Sequence, residues 1–208
     1  LFLNKKLKTK LVVTCEHASN HIPAAYLYYF EDAKSVLKTH RAIDIGALAF
    51  FQKTIQNLDV SFSKYGKASR LLVELNRTIG NKQLFSEYSN KIPQQEKDQI
   101  LAKYYHPYRN EVTAVIQELI NQGFIVIHLS VHSFTPILNG EERLADVGLL
   151  FDSSSDLEKT ICRRWQKEIQ KVSPEIKVKL NYPYLGIADG FTTFLRKKFT
   201  KNYAGLEL

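Results

Sequence analysis

Two hydrophobic periods alternate along this chain. Short, continuous apolar runs are separated by longer segments in which apolar residues recur every three or four positions. The run Phe124-Ile125-Val126-Ile127-His128-Leu129-Ser130-Val131 reads as a strand buried on both faces, and it delivers His132 and Ser133 at its C-terminal end. Leu11–Cys15 reads as an earlier buried strand running into Glu16–Pro23, a polar loop because Pro23 disfavours helical geometry at Ile22. Val60–Ser63, Leu71–Leu75, Val147–Phe151 and Val178–Leu180 read as further strands, and Tyr203–Leu208 as a last one that stops with the sequence.

Helical spacing fills the intervals. Asp44 opens a pattern with Ile45, Leu48, Ala49 and Ile55 on its apolar side, and its carboxylate suits an N-terminal cap. Gln94–Asn121 is helical in period, but Pro107 should kink or divide it, and Gly123 closes it. Asp156–Val172 and Phe191–Phe199 are further helices, while Gly80–Pro93 and Asn181–Gly190 read as loops. Alternating strands and helices predict one α/β domain over residues 1–208, with a mainly parallel or mixed sheet. In such sheets ligands gather at the C-terminal strand edge, where His132 emerges.

Composition narrows the function. With 44% hydrophobic and 24% charged residues, the 208-residue chain has the make-up of a soluble globular protein. No stretch approaches the roughly 20 apolar residues of a membrane span, so no membrane partner is expected. The net charge of +8 is carried by scattered lysines without a nucleic-acid motif. Attraction of a small anionic substrate fits that charge, and nucleic-acid binding is not expected. Cys15 and Cys162 suggest neither a disulfide framework nor a cysteine zinc cluster, so a reducing cytoplasm is the expected location. Methionine is missing even at residue 1, as expected of a trimmed chain.

Several residues could carry chemistry. His17, His132 and Asp44 offer two imidazoles and a carboxylate, the set of a catalytic zinc shell with one position left for water. No HExxH motif occurs, so such a site would be assembled from separated loops; otherwise each residue is a loop hydrogen bond or a cap. Arg70, Asn76 and Arg77 bracket one predicted strand. Arginines there suit a carboxylate substrate, or else surface salt bridges. Glu207 interrupts an apolar strand. Partial desolvation would raise its pKa and suit it to general-base work; the alternative is an exposed position on an edge strand. There is no GxSxG elbow or glycine-rich phosphate loop, and Cys15 reads as a small buried hydrophobe.

These segments together resemble the N-formylglutamate amidohydrolase family across nearly the whole chain. The matching blocks are Cys15–Pro23, Ser69–Arg77, His106-Pro107-Tyr108, Val131–Pro136, Asp146–Asp152, Asn181–Tyr184, Ala188-Asp189-Gly190 and Gly205–Leu208. The family is similar in fold to zinc carboxypeptidases and aspartoacylase, which implies a three-layer α/β/α sandwich. The resemblance makes His17 and His132 ligands of one Zn2+ ion. Its relatives carry a glutamate three residues after the first histidine, where this chain has Asn20. The third ligand is then Asp44 or Glu16, with Asp44 favoured.

The resemblance further implies that Asn76 and Arg77 bind a substrate carboxylate, that Arg70 stabilises the oxyanion and that Glu207 activates water. The expected reaction is hydrolysis of the amide of a small N-acyl acidic amino acid such as N-formylglutamate. A carboxypeptidase-like or peptidoglycan amidase using the same zinc, or a non-catalytic anion-binding domain, are the alternatives. His128 lies on the same strand face as His132, but about 13 Å away by strand rise, and is expected to be structural.

Overall fold

The computed structural model describes residues 8–138 and 140–208. In chain order the elements begin with β1 (Thr9–Cys15), 3-10 segments at Ala24–Ala33 and Val36–Lys38, helix α1 (Ala47–Asn57) and β2 (Phe62–Tyr65). A 3-10 turn (Ser89–Lys91), α2 (Gln94–Ile100), a π-helical segment (Leu101–Tyr105), α3 (His106–Asn121) and β3 (Ile125–Ser130) follow. The chain continues through β4 (Ile137–Leu138), β5 (Glu141–Glu142), β6 (Val147–Leu149), α4 (Asp156–Val172), β7 (Val178–Leu180), α5 (Phe191–Lys198) and β8 (Tyr203–Glu207).

The central sheet runs β2-β1-β3-β8, with every neighbour parallel. Its residues alternate between two cores, as a period of two requires. Val12 and Val126 join α3 (Val112, Ile116) and α5 (Phe191, Leu195) on one face. Val13, Leu129 and Leu206 join α1 (Ala47, Phe51) and α4 (Cys162) on the other. The architecture is therefore α/β with helices covering both faces of a parallel sheet.

Chain direction reverses inside this sheet. From β1 the chain moves outward to β2 through α1 on one face, then returns past β1 to β3 through α3 on the opposite face. Right-handed crossovers in opposite directions demand opposite faces. The C-terminal ends of β1 and β3 are adjacent, with Thr14 opposite Ser130, and form the topological switch point where a crevice opens.

Some expected elements differ. Leu71–Leu75 is no strand: Leu72 and Val73 N–H groups return to the Ser69 carbonyl, and Arg77 N–H to Glu74, so the segment is a buried succession of turns. Its apolar composition reflects burial rather than pairing. The strand expected at Val147–Phe151 ends at Leu149 and pairs with β7 in a separate two-stranded sheet; Leu150 then bridges to Glu207. Near Pro107 the helix does not break. The preceding turn widens to π-helical spacing, accommodating a residue without an N–H. Helix α1 starts later than expected, with Gly46 as its N-cap at φ 88°, so Asp44 does not cap it.

Candidate active site

His17 lies two residues beyond β1 and His132 two beyond β3, so adjacent strands bring residues 115 apart in sequence together. Asp44 arrives from the turn before α1, and its backbone N–H donates to the His17 carbonyl at 3.0 Å. His17 Nδ1 stands 3.1 Å from Asp44 Oδ2, His132 Nδ1 stands 2.9 Å from the same oxygen, and the two Nδ1 atoms are 3.1 Å apart. His17 and Asp44 are buried, and the His132 side chain is 15% exposed.

The outer nitrogens explain how the rings are held. His17 Nε2 meets Glu74 Oε1. His132 Nε2 lies 3.0 Å from Ser130 Oγ and 3.4 Å from Glu16 Oε2. A carboxylate on Nε2 favours the tautomer with its hydrogen there and leaves Nδ1 as a lone pair. Two Nδ1 lone pairs converging with a carboxylate oxygen repel one another unless a proton or cation lies between them. The donor set matches the two-histidine, one-carboxylate shell of catalytic zinc. A tetrahedral ion with bonds of roughly 2.1 Å separates its ligands by about 3.4 Å, near the observed spacings. The residues therefore fit a metal ion, with Asp44 as the carboxylate; Glu16 is on the outer side of His132 and does not compete for that place.

Charge is distributed unevenly around this centre. Burial alone would raise the Asp44 pKa, but His17 and His132 outweigh it and hold the carboxyl well below its usual range. Glu16, also opposed by burial, is held low by His132 and Ser130, and Glu74 by Arg70 and His17. Burial works against charge on His132 as well, yet its bonds to Asp44 and Glu16 shift it well above the ordinary imidazole value.

Arg70 lies at the rim, donating to Asp44 Oδ1 at 3.3 Å and forming an ion pair with Glu74 Oε2 at 2.6 Å. Asn76 Nδ2 is 3.4 Å from His132 Nε2, and its Oδ1 accepts the Phe191 N–H at 2.6 Å, tying it to the start of α5. Arg77 Nη1 is held by the Asp189 carbonyl at 2.7 Å and the Asn76 carbonyl at 3.1 Å. Glu207 lies opposite Ser130 in register, partly buried, and accepts from Thr192 Oγ1 at 2.6 Å. A Cβ added at Gly190 would stand 3.2 Å from Glu207 Oε1 and 3.3 Å from Asn76 Oδ1, so these two groups flank the same small residue. Asn20 is outside the cluster, donating to the Leu37 carbonyl on the surface.

Sequence reasoning missed Glu74 as a site residue. Its signal was the same as that of Glu207: one acid interrupting an apolar run. It also missed Tyr108, whose hydroxyl donates to Glu16 Oε1 at 3.0 Å. Arg109 was missed too. It is buried among Tyr105, Phe191 and Phe194, and donates to the carbonyls of Leu75 and Arg77, which fixes the Asn76 segment.

Fold and site together define an α/β protein with a His–Asp–His centre able to hold a metal ion at a parallel-sheet switch point. The family model for N-formylglutamate amidohydrolase matches residues 9–206, and the chain belongs to that family, whose members hydrolyse an amide. A solved structure, gene product Atu2144 from Agrobacterium tumefaciens, is 26% identical, with a TM-score of 0.78 over 98% of this chain and 81% of that one. No curated protein matches the chain.

Proposed function

We propose that residues 1–208 form one catalytic domain, a zinc-dependent hydrolase of N-formylglutamate or a closely related N-acyl acidic amino acid. The observation that carries the reading is the convergence of His17 Nδ1, His132 Nδ1 and Asp44 Oδ2 within a chain of the amidohydrolase family. In this reading His17, Asp44 and His132 hold the ion, while Glu74 and Glu16 orient the imidazoles. Bound Zn2+ supplies Lewis acidity, lowering the pKa of water toward about 7 and polarising a carbonyl oxygen.

The other residues supply proton transfer and charge. Glu207 takes the proton of the attacking water and returns it to the leaving nitrogen. Burial disfavours a charged Arg70, but Glu74 and Asp44 outweigh it and raise its pKa, so its guanidinium stays ionised beside the developing oxyanion. Asn76 and Arg77 hold a substrate carboxylate. The net charge of +8 suits an anionic substrate, and the two free buried cysteines suit a cytoplasmic setting.

Metal content and formate release from N-formylglutamate test the scheme on the wild type, His132→Ala and Glu207→Gln. His132→Ala should lose both zinc and activity. Glu207→Gln should keep zinc and lose roughly 10²–10⁴-fold in kcat. Full activity in metal-free wild type would eliminate the metal's role.

A further inference from the structure

We infer that Arg143, lying over the rings of Phe134 and Tyr184, is the specificity residue that receives the second carboxylate of a dicarboxylic N-acyl substrate. The inference rests on the proposed reading of the site and deepens it. An N-acyl acidic amino acid carries two carboxylates, and Asn76 with Arg77 accounts for one.

Arg143 is tied by contacts to the segment that follows His132. Its guanidinium lies 5.4 Å from the Phe134 ring centroid, and Phe134 follows His132 and Ser133 directly. It also lies 5.1 Å from the Tyr184 ring, with Nη2 donating to the Tyr184 hydroxyl at 2.8 Å. Arg70 touches Asp44, and Asp44 returns to His132 and to the Ser133 N–H at 3.3 Å. Arg143 thus links the Phe134 loop, which continues directly from His132, to the Tyr184 loop.

Arg143 is held there but not neutralised. Its backbone N–H donates to the Pro136 carbonyl, and the next N–H, of Leu144, donates to the Tyr182 hydroxyl. Among the described residues no carboxylate pairs with Arg143, and its Nη1 is buried without a hydrogen-bond partner. A buried, unpaired guanidinium donor is costly unless something accepts from it. A planar guanidinium held by two aromatic contacts and a hydrogen bond is preorganised for bidentate contact with a carboxylate. A cleft of about 470 Å³ lined in part by Arg70 also offers Arg41, but that residue is already paired with Glu87.

Calorimetric binding of glutarate and butyrate to the zinc-loaded protein tests the assignment, because the two ligands differ in the second carboxylate. Wild type should prefer glutarate by about tenfold or more, the worth of one charge-assisted contact. Arg143→Gln should bring the two within about twofold by weakening glutarate alone, and Arg143→Lys should fall between. Retained discrimination in Arg143→Gln, equal weakening of both ligands, or no preference in wild type would each overturn the assignment. Turnover is read separately: absence of formate release from wild type sinks the formylglutamate reading, while the ligand comparison still decides the role of Arg143.

Discussion

His128 and His132 stand four residues apart on β3 and its continuation, and their surroundings are opposite. His128 is fully buried in the sheet, its Nε2 2.8 Å from Thr14 Oγ1 and its Nδ1 2.8 Å from the Tyr203 hydroxyl. Two hydroxyls satisfy a neutral ring, and burial pushes its pKa down to about 4. His132, past the end of the strand, meets carboxylates on both nitrogens and is shifted upward despite burial. The same side chain on the same strand becomes structural or ligand-like according to what faces it. The sheet interior offers only neutral partners, whereas the switch point gathers the acids of three separate loops.

The largest way to break this contrast is to remove an acid from the His132 side. Glu16→Leu leaves His132 Nε2, Ser130 and Tyr108 facing an apolar group, and should cost about 3–5 kcal/mol in urea unfolding. The second test is pH dependence of metal-free protein. The folded state lowers the pKa of His128, so the unfolded chain binds the extra proton and acid favours unfolding. Stability from this residue should fall from about pH 6.5 to about pH 4, by on the order of 3 kcal/mol. His132 has the opposite sign: its contribution is present below about pH 6.5 and lost as pH rises through its elevated folded value. Urea midpoints of wild type and His128→Phe, compared from pH 7 to 4.5, should diverge in this direction; parallel curves would contradict the neutral-ring assignment. The smallest test is Thr14→Val, which removes one hydroxyl partner of His128 and should cost about 1 kcal/mol, read from the same unfolding curves.

Much of this was legible in the sequence because continuous apolar runs mark strands buried on both faces. Leu11–Cys15 and Phe124–Val131 are such runs, and each ends in a polar segment carrying a histidine. Leu71–Leu75 has the same composition but folds into turns around Ser69, whose hydroxyl donates to the Ala42 carbonyl at 3.0 Å. Apolar content reports burial and cannot separate a strand from a buried turn. Glu74 was overlooked for a related reason. Its contact with His17 spans 57 residues, and nothing local distinguishes an acid that orients a histidine from one in a salt bridge.

By itself the sequence determined the alternation of strands and helices, the placement of His17 and His132 at strand ends and, through the ordered motif blocks, the family. Only the tertiary structure decided which of Glu16, Asp44 and Glu74 faces the inner Nδ1 atoms and which two stand behind the rings. The physical reason is that the choice between imidazole nitrogens depends on the direction from which each carboxylate arrives. That direction is set by the sheet order β2-β1-β3-β8 and by helices packed on opposite faces, relations that no local pattern of residues contains.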